Sequence, residues 1–212
     1  MRATQTRQRI LEASAQIFAE YGYAAGTTNR IAERAGVSIG SLYQYFPNKD
    51  AVLRALMDEH VEAGAALLAE RLSGGLPAGL EETVRLFVRA TIDNHRHNPR
   101  LHRVLFEEAP RAPEFLDRLR ELERFSVAAA AQLLARFPGI RPGKLTAQIV
   151  VATIESLVHR LVASGEDVDF DDAEDEIVLM LTGYLAAPQP GDQTASGRSK
   201  NGLTPDQHRI EH

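Results

Sequence analysis

The sequence predicts an all-α protein: a three-helix unit at the N-terminus, then a larger helical domain, about nine helices in all. Three observations carry this expectation. No stretch of the 212 residues alternates apolar and polar side chains for long enough to make a half-buried strand. The segment TTNRIAERAGVSIGSLYQYFPNK, Thr27–Lys49, has the caps and breaks of two short helices and the start of a third. Beyond residue 50, apolar residues recur at helical spacing in runs separated by Gly and Pro.

Met1-Arg2-Ala3-Thr4 leads directly into an amphipathic helix, without the apolar centre of a signal peptide. Thr27 and Thr28 are good N-caps, because a hydroxyl accepts from the orphan amides of a first turn. Ile31 and Ala35 then face inward, and small Ala32 lets a second helix cross close by. Gly36 stands where a left-handed C-cap is expected, and Val37 plugs the angle between the helices. Ser38 caps the next helix, whose buried stripe is Leu42 and Phe46, four residues apart. Ile39, Gly40, Ser41, Tyr43, Gln44 and Tyr45 are left on the outside. Pro47 stops this helix and Asn48 caps the long one that starts at Lys49.

Two helices at a tight turn, the second presenting small, polar and aromatic side chains, is the layout of a helix-turn-helix DNA reader. Over the span from Thr4 to Leu56 the chain resembles the DNA-binding domain of the TetR family of bacterial transcriptional repressors. The match rests on Ile10-Leu11, Ala13 through Phe18, Gly22-Tyr23, Thr27-Thr28, Ile31-Ala32, Ala35-Gly36-Val37-Ser38, Leu42-Tyr43, Tyr45-Phe46 and Lys49. The resemblance implies that Thr28, Tyr43 and Lys49 hold phosphates, and that Gly40 lets the recognition helix lie close to the bases. Tyr45 stands where the family often has histidine, and its phenol can replace that phosphate contact. Gln44 is the candidate for base reading, since glutamine pairs bidentately with adenine. Ile39 departs from the polar residue often found there and is suited to a thymine methyl. With Thr27, Ser38 and Ser41 these make the expected DNA-contacting set.

The formal net charge is −5, unusual for a nucleic-acid binder. Residues 1–60 hold seven Lys/Arg and six Asp/Glu, residues 61–186 hold fourteen and twenty, and residues 187–212 hold three of each. Binding is therefore expected to rest on a few placed contacts: Lys49, an Arg2-Arg7-Arg9 arm, helix N-termini and hydroxyls. The chain has no cysteine, which excludes disulfides and thiolate metal sites. No apolar run approaches the roughly 20 residues of a membrane span, so a cytoplasmic protein is expected.

The fourth helix is expected from Lys49 to Leu72, the fifth from Gly79 to Pro99, and a short one from Pro99 through Phe106. A long helix from Glu114 to Phe137 follows, then one from Pro142 to Gly165, and a last one from Phe170 to Ala186. The expected organisation is a reader over residues 1–48, with the start of the fourth helix to residue 60. An effector-binding and dimerisation domain follows over 49–186, then a disordered tail over 187–212, rich in Pro, Gly, Ser, Gln and Asn. The last two helices are too apolar for ordinary surface helices, and the resemblance implies a homodimer packed through them. Ile154, Leu157, Val158, Leu161, Val178, Leu181 and Leu185 are the expected interface residues. The resemblance further implies a small-molecule effector pocket, for which Phe87, Thr91, His95, Leu105, Leu122 and Phe125 are candidates.

Metal and catalytic readings are weaker. His95, His97 and His102 cluster in sequence, but His95 and His97 point to different sides of a helix and Pro99 separates them from His102, so no metal site is expected. The acidic run Glu166–Glu176 has the alternation of a calcium loop. It carries Asp172 where glycine and Val178 where glutamate are needed, so its acids are assigned to the N-terminus of the last helix. There is no nucleophile elbow, phosphate-binding glycine loop or zinc-helix motif, and no cofactor is expected. The expected function is a repressor that binds a palindromic operator as a dimer and is released by a small molecule. The rivals are an all-helical enzyme using Glu155 and His159, four apart on one face, and an architectural DNA-binding protein without effector.

Overall fold

The computed structural model describes residues 2–96, 98–110, 113–140, 143–163 and 168–187. Its elements are α1 (Arg2–Ala25), α2 (Thr28–Ala35), α3 (Ile39–Tyr45), α4 (Lys49–Arg71), α5 (Leu80–Arg96), α6 (Pro99–Arg103), a π-helical turn (Val104–Glu108), α7 (Pro113–Leu134), α8 (Lys144–Ala163) and α9 (Phe170–Ala186). The described residues contain no strand, as expected from the missing period-two pattern. His97, Pro142, Gly165 and the tail from residue 188 lie outside the described residues.

Local chemistry sets the boundaries. The Thr27 hydroxyl accepts from the Arg30 amide at 3.3 Å, the Ser38 hydroxyl from Ser41 at 3.1 Å, and the Asn48 carboxamide from Ala51 at 2.8 Å. These are the caps of α2, α3 and α4. Gly36 closes α2 at φ 64°, in the left-handed region where a Cβ is strained. Asp169 caps α9 by accepting from Asp171 and Asp172, so the acids of this segment do serve a helix N-terminus.

Two apolar cores result. The first buries Ile10, Leu11, Ile17 and Phe18 of α1, Ile31 of α2, Leu42 of α3 and Val52, Leu53 and Leu56 of α4. It also takes in Val104 and Leu105 from the π turn and Phe115 from α7, so the reader is closed by the domain that follows it. The second buries Val84, Val88 and Ile92 of α5, Val127 and Leu134 of α7, Val150, Ile154 and Val158 of α8, and Ile177, Val178, Leu181 and Leu185 of α9. Glu174 of α9, only 1% exposed, is clamped between Arg85 and Arg89 of α5. None of the described helices is long and apolar enough to cross a membrane.

The wall between the cores is thin. α1 breaks at Gly22, where φ is 73°, and the freed Tyr23 amide donates to the Glu108 carboxylate of the π turn at 2.9 Å. A Cβ at Gly22 would stand 2.7 Å from that same carboxylate oxygen. α4 spans both sides, its first half in the reader core and its second half against α5, where Arg71 pairs with Asp93.

Candidate functional site

α2 and α3 form the predicted helix-turn-helix, and most of the expected contact set lies on its open side. Thr27, Ser38, Gly40 and Gln44 are exposed, Ile39 is 37% exposed and Tyr43 48%. Large side chains at such exposure leave apolar surface uncovered by the chain's own core. A Cβ at Gly40 would meet only Ser38 Oγ at 3.9 Å, so packing does not demand glycine there; the open space faces outward. Thr28 Oγ1 and Tyr43 Oη lie 3.1 Å apart, which brings two predicted phosphate ligands to one point where α2 and α3 meet.

Several of the expected contact residues also pack or bond within the chain. Tyr45 is half-buried and packs on the reader core beside Leu42 and Phe46, because residues three and four apart share a face. Ser41 is likewise half-buried. Arg7 and Arg9 are not a free arm. Arg9 donates to the carbonyls of Ala35 and Gly36, supplying the cation a helix C-terminus favours, and Arg7 lies 5.4 Å from the Phe46 ring centroid. Lys49 donates to the carbonyls of Tyr23 at 2.7 Å and Ala24 at 3.3 Å and sits 4.0 Å from the Tyr23 ring centroid. It ties the end of α1 to the start of α4 and has one ammonium proton left for another acceptor.

The effector candidates divide. Phe87, Thr91 and Leu122 are half-buried and His95 is buried, while Phe125 is 75% exposed and points away from any interior. Leu105 belongs to the reader core. A separate cleft between the starts of α4 and α7 is lined by Asn48, Leu53, Arg54, Pro110 and Phe115. Most of the expected dimer residues face the chain's own interior. Ile154, Val158, Val178, Leu181 and Leu185 are buried within the chain, and Leu157 and Leu161 pack on the same core. The outward apolar residues are Leu145 (69%) and Ile149 (37%) on α8 and Leu179 (68%) and Met180 (46%) on α9. Both helices are apolar nearly all round, so spacing alone did not identify the side facing α5.

The histidines come together where local spacing had set them apart. His95 and His102 meet across the Pro99 break with ring centroids 4.4 Å apart, because Asn98 caps α6 and turns it back along α5. His60 of α4 and His159 of α8, which sequence proximity had no means of finding, complete the group at 4.9 and 4.7 Å from His95. His60, His95 and His102 offer ligand atoms all within 4.8 Å of one another, and so do His95, Glu155 and His159. Burial, with the neighbouring imidazoles, pulls His60 down to about 4 and His102 to about 2. Burial lowers His95 as well. At neutral pH these rings are uncharged, with a lone pair each. The Glu155–His159 pair predicted on one face of α8 is present at 3.2 Å.

Two family profiles match the chain: "Bacterial regulatory proteins, tetR family" over residues 10–56 and "Tetracyclin repressor-like, C-terminal domain" over residues 79–185. Among curated proteins it is 43% identical over 58 residues to the A-factor receptor protein of Streptomyces griseus, covering 27% of this chain and 21% of that one. The chain thus spans about a fifth of that relative's length. It is 26% identical over 192 residues to the transcriptional activator FasR of Mycolicibacterium smegmatis, covering 86% and 84%. Its fold is similar to that of the regulator FadR of Bacillus subtilis in complex with stearoyl-CoA, with TM-score 0.68, 20% identity, and 82% and 96% of the two chains covered.

Proposed function

The chain belongs to the tetR family of bacterial regulatory proteins, and from that premise we propose that it is a dimeric cytoplasmic repressor released from a palindromic operator by an effector. The observation that carries this reading is the outer face of α3, where Ile39, Gly40, Tyr43 and Gln44 stand exposed above a fully packed reader core. Thr28 and Tyr43, with the last proton of Lys49, position the backbone; Gln44 and Ile39 read base edges.

One copy binds weakly, because the reader carries so little net charge and Arg7, Arg9 and Lys49 are already engaged. A dimer through the outer faces of α8 and α9 doubles the contacts and sets two α3 helices about 34–36 Å apart on successive major grooves. Leu179 and Met180 with Leu145 and Ile149 are the apolar surface that this contact covers. An effector acts by changing the α4 geometry between the cores. Selection of binding sites from random-sequence DNA, followed by footprinting upstream of the protein's own gene, tests the proposal. A protected palindrome is expected; a chain that enriches no palindrome from the pool sinks the reading.

A further inference from the structure

Four imidazoles from four helices meet where α4, α5, α6 and α8 converge, and their packing as rings leaves the nitrogens of His102 unexplained. Both ring nitrogens of His102 lack a hydrogen-bond partner, although the residue is only 3% exposed. Buried polar atoms are nearly always partnered, so an orphaned imidazole facing three others points to a missing ligand. His95 Nδ1 lies 2.6 Å from the Thr91 carbonyl, which only accepts. The proton therefore sits on Nδ1 and the Nε2 lone pair is directed into the cluster, the orientation a metal-ligating histidine receives from its outer hydrogen bond. His159 Nε2 lies 2.9 Å from His95 Nε2 and 3.2 Å from Glu155 Oε2, so one proton faces two acceptors. A cation satisfies all three at once.

We propose that this cluster binds one divalent transition-metal ion of the imidazole-preferring class (zinc, nickel, cobalt or copper) through His95, His102, His159 and His60, with Glu155 at the rim, and that the ion is an effector of the protein. The second half rests on the regulatory reading above. The distances fit. Tetrahedral imidazole ligands at 2.0–2.1 Å from a metal stand roughly 3.4 Å apart. The 2.9 Å pair must open slightly, and within each of the two triads that share His95 the donors, which lie within 4.8 Å of one another, must close by up to about 1.4 Å. Imidazole nitrogens with one carboxylate suit these ions, while calcium and magnesium demand oxygen shells.

The ion would reach the reader along two routes. His60 lies on α4, the helix whose first half packs in the reader core. Phe106 of the π turn lies against His102 and His159, at 4.4 and 4.2 Å between centroids. Its neighbours Val104 and Leu105 enter the reader core, and Glu108 holds the broken end of α1. π turns occur often at functional sites because they re-aim side chains within a helix.

The test is a titration of the full chain, first stripped with a chelator, with Co²⁺. One Co²⁺ per chain is expected, with the visible absorption of a four- or five-coordinate nitrogen site, displaced by Zn²⁺. His95→Ala and the milder His102→Gln, each checked for intact helicity, should weaken binding about 100-fold or more. The double variant His208→Gln/His212→Gln removes tail histidines and should leave the stoichiometry at one. Absence of stoichiometric Co²⁺ or Zn²⁺ overturns the site, as does binding that survives His95→Ala and disappears with the tail histidines. For regulation, operator DNA selected with the metal-free chain is titrated with and without Zn²⁺. About 5-fold weaker binding or more is expected for the natural sequence and no change for His102→Gln. Equal affinity with bound Zn²⁺ overturns the effector role, whereas failure of the metal-free chain to select any operator overturns the regulatory reading and leaves the metal titration standing.

Discussion

Replacing Leu179 by Glu separates a dimer face from a core face. Leu179 is 68% exposed on α9, while its neighbours Val178 and Leu181 are 1% and 2% exposed inside the chain. Full burial of a leucine is worth about 1.5–3 kcal/mol, so covering the exposed share contributes roughly 1–2 kcal/mol per protomer. Both protomers contribute, giving about 2–4 kcal/mol for the dimer, and the substitution adds two carboxylates to an apolar contact. The dissociation constant of the dimer should rise roughly 30- to 700-fold. Sedimentation velocity across a dilution series measures this directly. The melting temperature of the diluted monomer should change little, because most of the side chain lies outside its own chain's packing. Operator affinity should fall with the loss of the second reader. A variant that stays dimeric at micromolar concentration, or one that unfolds, refutes the assignment of this face.

Other expectations concern the reader and the frame that holds it. Glu174→Ala leaves Arg85 and Arg89 without their buried partner and should lower stability by about 2–3 kcal/mol in urea titration, discounted for the partial exposure of both arginines. Gly36→Ala forces a Cβ into the left-handed region and to 3.0 Å from the Arg9 guanidinium, at a cost of about 1–2 kcal/mol read from thermal unfolding. Gln44→Ala should relax preference at one base pair by roughly 1–3 kcal/mol in competition binding, with little change at other positions. Lys49→Ala should weaken binding to all sequences and reduce the salt slope by about 1; because Lys49 also ties α1 to α4, it should lower stability too.

What was legible in the sequence follows the range of the interaction that fixes it. Thr27, Gly36, Ser38, Asn48 and Asp169 act on amides or dihedral angles within a few residues, so their side chains announce the helix ends directly. The helix-turn-helix is a compact local unit, and its inner and outer faces differ in chemistry. In α8 and α9 both faces are apolar, so helical spacing identified buried helices and misplaced the side that faces α5. Phe125 failed for a related reason: an aromatic at core spacing on a long helix reads as interior, yet here it lies 75% exposed. His60 and His159 stand about a hundred residues apart, and nothing in either local pattern connects them. Both reach His95 because α4 and α8 each pack on α5, which is a property of the packed fold.

The same packing explains why sensing and reading can be linked in so small a protein. A reader resting on its own core would feel a distant ligand only through a tether. Here Val104, Leu105 and Phe115 are part of the reader core, and Glu108 supplies the acceptor that the broken end of α1 requires. Repacking around Phe106 therefore changes the support of α1 as well as the angle of α4. Glu108→Ala tests this arrangement. It deprives the Tyr23 amide of its partner, an exposed contact worth about 1 kcal/mol, so stability should change little. The operator affinity of the metal-free chain should fall, and the difference between metal-free and Zn²⁺-bound affinities should shrink, because one of the two routes between the cores is cut. If the difference persists at full size while His60→Gln abolishes it without loss of metal binding, coupling runs through α4 alone and the π turn is only a structural wedge.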